Sequence, residues 1–327
     1  MTIRDVPIDT DYLTSTLKAL LNISSPSGMT NEIVRHVCSE LSALDIHHEL
    51  TRLGAIRADL PGKQKTPDRA IIAHVDTLGM IVKQIKENGR LEVLPIGHWS
   101  SRFAEGARVT VHSDNGVRMR GTVLPLKASG HTFADEVDEL PVNWQTVEVR
   151  LDLRTTSRDE TLKAGINVGD TISVDAQPEF SDTGYVNARH LDDKAGVAAM
   201  LTAAKAVVES GVTVPLDCHL LFTVQEEVGV GASHILHGDV AEMVSIDNGT
   251  LAPGQNTSEF GVTIAMQDSS GPFNWYLTRS LLNICRAHDI EHDRDVFRHY
   301  RSDAAAALEA GNDIRTALVC FGLDASH

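Results

Sequence analysis

Ala70-Ile71-Ile72-Ala73-His74-Val75-Asp76 is the stretch on which the reading of the fold turns. Four aliphatic residues in a row read as a short buried strand, and an imidazole and a carboxylate stand where it ends. Runs of this kind belong to sheets covered by helices. On the N-terminal side, residues 9–22 and 30–44 read as amphipathic helices, with Ile33, Val34, Val37, Leu41 and Leu44 at helical spacing. Ser24-Ser25-Pro26-Ser27-Gly28 between them is a loop by its turn chemistry.

On the C-terminal side the texture changes. Short alternating segments follow one another between residues 83 and 182, with Asn88-Gly89 and Asn115-Gly116 marking tight turns. This is a small all-β insert, expected to close as a compact barrel, with one helical stretch near 159–164. Alternating helices and strands then return: helices at 193–210, 232–237, 273–288 and 302–310, strands at 215–224, 243–246 and 316–321. The expected fold class is therefore α/β, a doubly wound mixed-sheet domain interrupted by a β-barrel. Its parts are residues 1–82 and 183–327 for the α/β domain and 83–182 for the insert.

Composition narrows the function classes. The chain has 327 residues, enough for two domains, and carries 29 basic against 45 acidic residues for a net charge of −16. That field repels phosphate backbones and anionic lipid, so neither nucleic acid nor a membrane is an expected partner. Cys38, Cys218, Cys285 and Cys320 lie far apart and form no C-x-x-C pair, so no disulfide framework or thiolate zinc site is implied. Residues 1–10 hold acids and a proline but no apolar run, and no stretch approaches the length of a membrane span. The expected location is the cytoplasm.

Four acidic or imidazole clusters follow apolar runs: His74-Val75-Asp76, Leu191-Asp192-Asp193-Lys194, Gln225-Glu226-Glu227 and Ile246-Asp247-Asn248. In an open α/β sheet the carboxyl ends of the strands form the ligand crevice. Carboxylates crowded beside an apolar interior repel one another, and a divalent cation is the usual remedy. Imidazole and carboxylate ligands without thiolate favour Zn, Co or Mn. Each cluster also has a plainer reading. His74 and Asp76 could hydrogen-bond only locally, Asp192 and Asp193 suit a helix N-terminus, and Glu226 and Glu227 could be a solvated pair. The joint occurrence is what carries specificity.

These residues resemble the tetrahedral aminopeptidases, a family of dinuclear metallopeptidases that includes glutamyl aminopeptidases and proteins once called endoglucanase M. The resemblance runs through Ala73-His74-Val75-Asp76-Thr77-Leu78-Gly79-Met80, Arg189-His190-Leu191-Asp192-Asp193-Lys194-Ala195-Gly196, Thr223-Val224-Gln225-Glu226-Glu227-Val228-Gly229 and Ser302-Asp303-Ala304. Val149-Arg150-Leu151-Asp152 and the stretch from Ala164 to Asp170 resemble the family's β-barrel. Within the family, the segments from Arg189 and from His219 to Asn248 look most like the peptidase of the N-acetylglutaminylglutamine amide osmoprotectant system.

The resemblance implies two divalent ions per chain. His74 and Asp247 would bind one, Glu227 the other, and Asp192 would bridge them. Asp76 would orient His74, and Glu226 would act as general base toward a hydroxide bridging the ions. The implied reaction is removal of N-terminal residues from short peptides. The implied assembly is a dimer formed through the barrel, with dimers building a tetrahedral dodecamer. A further His is implied just past the last strand. His327, five residues beyond Gly322, is the candidate, and because no closing helix follows it the sequence is expected to be shortened at its C-terminus. Two rival readings stand beside this one: a metallo-carboxypeptidase or deacylase acting on another small amide, and a metal-poor assembly protein without catalysis.

Overall fold

The computed structural model describes residues 6–327; Met1–Asp5, which open the N-terminal segment read above, lie outside the described residues. Helix α1 (Thr10–Leu21) starts where the Asp9 side chain accepts the Tyr12 N–H at 2.9 Å. That satisfies a backbone donor that the first turn leaves without a partner. Helix α2 (Asn31–Ala43) buries Ile33, Val34, Val37 and Leu41, the face its spacing predicts. The chain then runs through β1 (His48–Leu50), β2 (Ile56–Leu60) and β3 (Gln64–His74).

Six strands follow as one unit: β4 (Gly79–Ile85), β5 (Leu91–Ile96), β6 (Arg108–His112), β7 (Arg118–Pro125), β8 (Val147–Leu151) and β9 (Thr171–Val174). They close into a barrel in the order β4-β5-β8-β7-β6-β9. Two short helices, α3 (Gly130–Phe133) and α4 (Arg158–Lys163), lie in its connections. Inward-facing Met80, Val82, Leu91, Val109, Val149 and Ile172 form a hydrophobic cluster separate from that of the main sheet. Barrel strand β4 begins at Gly79, so the division expected at residue 83 falls inside it. The four extra residues are Gly79-Met80-Ile81-Val82, a purely apolar run whose alternation only the pairing to β5 reveals.

After the small hairpin of β10 (Glu179–Phe180) and β11 (Val186–Asn187), the chain returns to the main domain through α5 (Leu191–Ser210). Strands β12 (Leu216–Thr223), β13 (Val240–Thr250) and β14 (Val262–Asp268) follow. Then come β15 (Gly271–Pro272), α6 (Trp275–Ala287), β16 (His292–Val296), α7 (Asp303–Glu309) and β17 (Arg315–Leu323). The main sheet is ordered β1-β2-β12-β3-β13-β17-β14, with β15 and β16 both paired to β14. Its centre, β12-β3-β13-β17, is parallel throughout. The outer pairings β1/β2, β2/β12 and β14/β17 are antiparallel, so the sheet is mixed. Leu221, Phe222 and Ile72 are fully buried in it, each contributing about 1.5–3 kcal/mol of transfer free energy.

Two expectations shift, and β1, β2, β14 and β16 lie where the sequence reading places no strand. The helix expected at 232–237 is a short 3-10 turn, Gly231–His234. Strand β16 lies in a polar stretch, His292-Asp293-Arg294-Asp295-Val296, which has no hydrophobic alternation to announce it. Strand β13 runs from Val240 to Thr250, well past the 243–246 core. Asp247 therefore lies within a strand. It still reaches the crevice because β13 outruns β3: their pairing stops at Ser245↔Ile72, while pairing to β17 continues to Thr250↔Leu323.

Candidate metal centre

Four neighbouring strands deliver their carboxyl-terminal ends to one place. His74 is the last residue of β3, Glu226 and Glu227 follow β12, Asp247 lies where β13 outruns β3, and His327 comes four residues after β17. Asp192 joins them from the start of α5, where its backbone is non-helical (φ −75°, ψ 109°).

Asp192 is the hub of the cluster. One carboxylate oxygen lies 2.9 Å from Nε2 of His74, and the other 3.0 Å from Nε2 of His327. Nε2 of His327 is also 3.7 Å from a Glu227 carboxylate oxygen. One ligand atom from each of His74, Asp192 and Glu227 lies within 4.8 Å of the others. Glu226 turns the same way, with an oxygen 3.8 Å from Nε2 of His74. Asp247 is 3% exposed and lines the same cavity, of ≈ 600 Å³. The Asn248 side-chain amide donates to Asp192, on the oxygen that faces His327.

The surroundings hold these groups in place. Nδ1 of His74 lies 3.0 Å from the Asp76 backbone carbonyl and 3.6 Å from its carboxylate. The Asp76 carboxylate itself accepts the N–H groups of Glu226 (3.1 Å) and Glu227 (3.3 Å), together with the Ser27 hydroxyl (2.5 Å). Asp76 therefore touches both the His74 ring and the turn that carries the two glutamates. Asp193, fully buried, accepts the His74 N–H at 3.0 Å. Gly196 makes room for Asp193, since a Cβ there would lie 2.2 Å from its Oδ1. Asp303 accepts the Thr223 hydroxyl at 2.8 Å and crowds Gly231, where a Cβ would lie 1.9 Å from its other oxygen.

Charge is what this pocket has to resolve. Burial, together with the neighbouring carboxylates, pushes Glu227 and Asp247 up to about 8 and raises Glu226 well above the usual range. Asp303 is pushed up to about 6, again by burial first. Burial opposes ionisation of Asp192 too, but hydrogen bonds from His327 and His74 outweigh it and hold its carboxyl low. Burial works to lower His327, yet Asp192 and Glu227 raise it to about 9. Without cations the crowding is relieved by protons, held on the imidazoles and on several of the carboxyls. Divalent cations would supply that charge directly. The donors suit them: all are imidazole nitrogen or carboxylate oxygen, and the two oxygens of Asp192 face two different imidazoles.

Of the residues singled out from sequence, His74, Asp76, Asp192, Glu226, Glu227, Asp247 and His327 are all brought to this crevice. Asn248 and Asp193 stood beside them in the quoted motifs, and nothing local marked either as a partner of Asp192 or His74. His98 also lines the cavity, and its carbonyl lies 3.0 Å from Nδ1 of His327. It comes from the barrel, 229 residues away in sequence, and only the fold brings the two together. A second cavity of ≈ 380 Å³ shares Asp192, Glu227 and His327 and is walled by Leu78, Trp99 and Phe103.

The sequence profile of the M42 glutamyl aminopeptidase family matches residues 54–327. YhfE of Bacillus subtilis (strain 168), named as an aminopeptidase, is 34% identical over 311 residues, spanning 95% of this chain and 90% of YhfE. A TET aminopeptidase from the marine sediment archaeon Thaumarchaeota archaeon SCGC AB-539-E09 superposes with a TM-score of 0.85 at 22% identity. That match covers 96% of this chain and 89% of the archaeal one. The Pyrococcus horikoshii TET1 peptidase gives 0.82 at 23% identity, over 96% and 92%. These two likenesses establish the fold, including the inserted barrel. Fold, family and relatives together define a metallo-aminopeptidase. The chain belongs to the M42 glutamyl aminopeptidase family. Among the described residues no helix is long and apolar enough to cross a membrane.

Proposed function

We propose that this chain removes N-terminal residues from short peptides at a dinuclear centre held by His74, Asp192, Glu227, Asp247 and His327, with Glu226 as the general base. The observation that carries the reading is the Asp192 carboxylate, whose two oxygens each face a different imidazole at 2.9 and 3.0 Å. That is the arrangement a carboxylate shared by two cations requires. Zn is the favoured ion, with Co or Mn compatible with the same donors. Bound there, such ions act as Lewis acids toward a carbonyl and make water a stronger acid.

The chain's own residues do the rest. Glu226 is half-buried beside His74, and its raised proton affinity suits a group that takes a proton from the attacking water and returns it to the leaving amine nitrogen. Asp76 fixes the Glu226–Glu227 turn through the two backbone N–H groups and so positions base and ligand together. Arg298 and His299 line the cavity and would favour a substrate with an acidic first side chain.

The test is hydrolysis of aminoacyl-arylamides after chelation and after resupply of Zn, Co or Mn. Activity that survives complete chelation would remove the dinuclear reading. A panel of free and N-acetylated peptides separates aminopeptidase from deacylase or carboxypeptidase action, because only the first requires a free α-amine. Self-association through the barrel is part of the proposal. The related Pyrococcus horikoshii TET1 peptidase is described as assembling into a tetrahedron or a large octahedral shell. Light scattering of the purified protein reads the assembly directly.

A further inference from the structure

A second imidazole–carboxylate cluster lies on the face of the same sheet, away from the crevice. Asp59 on β2 and His219 on β12 are directly opposite in the antiparallel register. Nδ1 of His219 lies 2.6 Å from Asp59 Oδ1, and Nε2 of His237 approaches that same oxygen at 3.5 Å. The two rings are in contact, tilted by 53° with centroids 4.2 Å apart. One ligand atom from each of Asp59, His219 and His237 lies within 4.8 Å of the others. His219 precedes the end of β12 at Thr223 by four residues, or about 13 Å at strand rise, so the cluster is separate from the metal centre.

The cluster is built from behind. Asp68, 6% exposed, faces Nε2 of His219 at 3.3 Å and also accepts the Asp239 N–H at 2.9 Å. With an ion on Nδ1, a carboxylate facing Nε2 would keep the proton there, the arrangement that orients metal-ligating histidines. Gly238, at φ +66°, lets the loop close over this pair: a Cβ there would lie 2.6 Å from Asp68 Oδ2 and 3.3 Å from His219 Nε2. Nδ1 of His237 and Oδ1 of Asp68 are buried without hydrogen-bond partners. His47, largely exposed, stands 3.6 Å from the other Asp59 oxygen and could complete a fourth position.

We propose that Asp59, His219 and His237 form a further binding site for one divalent transition-metal ion. Two imidazoles and one carboxylate suit Zn, Ni or Cu(II) rather than Mg or Ca. The ion would clamp the end of the loop leading from Glu226 and Glu227 onto β2, where Arg57 already donates to the Ile235 carbonyl at 2.7 Å. The competing arrangement is a protonated His219 held between Asp59 and Asp68 with no ion.

Equilibrium dialysis of the full chain against Ni2+ decides between them. His237→Ala and Asp59→Asn should each bind about one ion per chain fewer than the unsubstituted protein. They should also lose the Ni2+-dependent rise in thermal midpoint that belongs to this site. Equal ion counts in variants and parent overturn the proposal. Should either variant fail to fold, the parent protein still answers. Ni2+ should protect His237 from diethylpyrocarbonate in peptide maps while exposed His131 is modified as before. An unprotected His237 at saturating Ni2+ overturns the proposal equally.

Discussion

The crevice and the sheet face each gather imidazoles and carboxylates, yet burial makes them different objects. In the crevice, His74 and Glu227 are almost wholly buried, and acids outnumber imidazoles, so several carboxyls are driven toward the neutral form. On the sheet face, the Asp59 side chain is 37% exposed, and its His219 and His237 contacts lower its carboxyl despite partial burial. Excess buried negative charge needs a cation; in the more open, nearly balanced sheet-face cluster the proposed ion competes with a proton. The same residue types therefore carry different obligations according to solvent access.

Several measurements press on that contrast. Glu226→Gln should lower kcat by about 10²–10⁴-fold while metal content stays at the parental value, because the substitution removes a proton acceptor and no proposed ligand. Turnover near the parental rate would take Glu226 out of the mechanism. Asp76→Asn should cost about 10–100-fold in metal affinity or activity, since it disturbs groups that hold a ligand and a base. Calorimetric titration of Zn into the chelated variant reads the effect, and an unchanged affinity with unchanged kcat would show that the turn stands without it.

Gly196→Ala is a steric test of the same region. A Cβ 2.2 Å from Asp193 Oδ1 should destabilise by about 1–3 kcal/mol in urea unfolding, and parental stability would mean that Asp193 moves freely. Smallest of all, His237→Ala should leave kcat/KM within about 2-fold of the parent, as a change at a partly buried residue remote from the crevice. A large loss of activity there would merge the two clusters into one functional unit.

Much of the crevice was legible in the sequence because its signals are local. A run such as Leu220-Leu221-Phe222-Thr223-Val224 announces a buried strand, and Glu226-Glu227 beside it announces charge at the mouth. The barrel was legible from short alternating segments and Asn-Gly turns. The sheet-face cluster was not. His219 sits in the middle of a strand, and Asp59 lies 160 residues away with no motif around it. Only the antiparallel register of β2 and β12 makes them neighbours. Strand β16 escaped notice because its residues are polar and, among the described residues, it pairs with β14 alone.

By itself the sequence determined most of the long helices, the aliphatic strands at the centre of the sheet, the presence of a β-rich insert, and which acidic and imidazole side chains follow apolar runs. Periodicity and turn chemistry act over a few residues, so a linear reading captures them. The tertiary structure alone decided the order β12-β3-β13-β17, which sets His74, Glu227, Asp247 and His327 side by side. It alone turned the Asp76 carboxylate toward the Glu226–Glu227 backbone and brought His98 from the barrel to His327. Such contacts arise from strand pairing and packing between residues far apart in the chain, and the choice of partner is made when the whole core is buried at once.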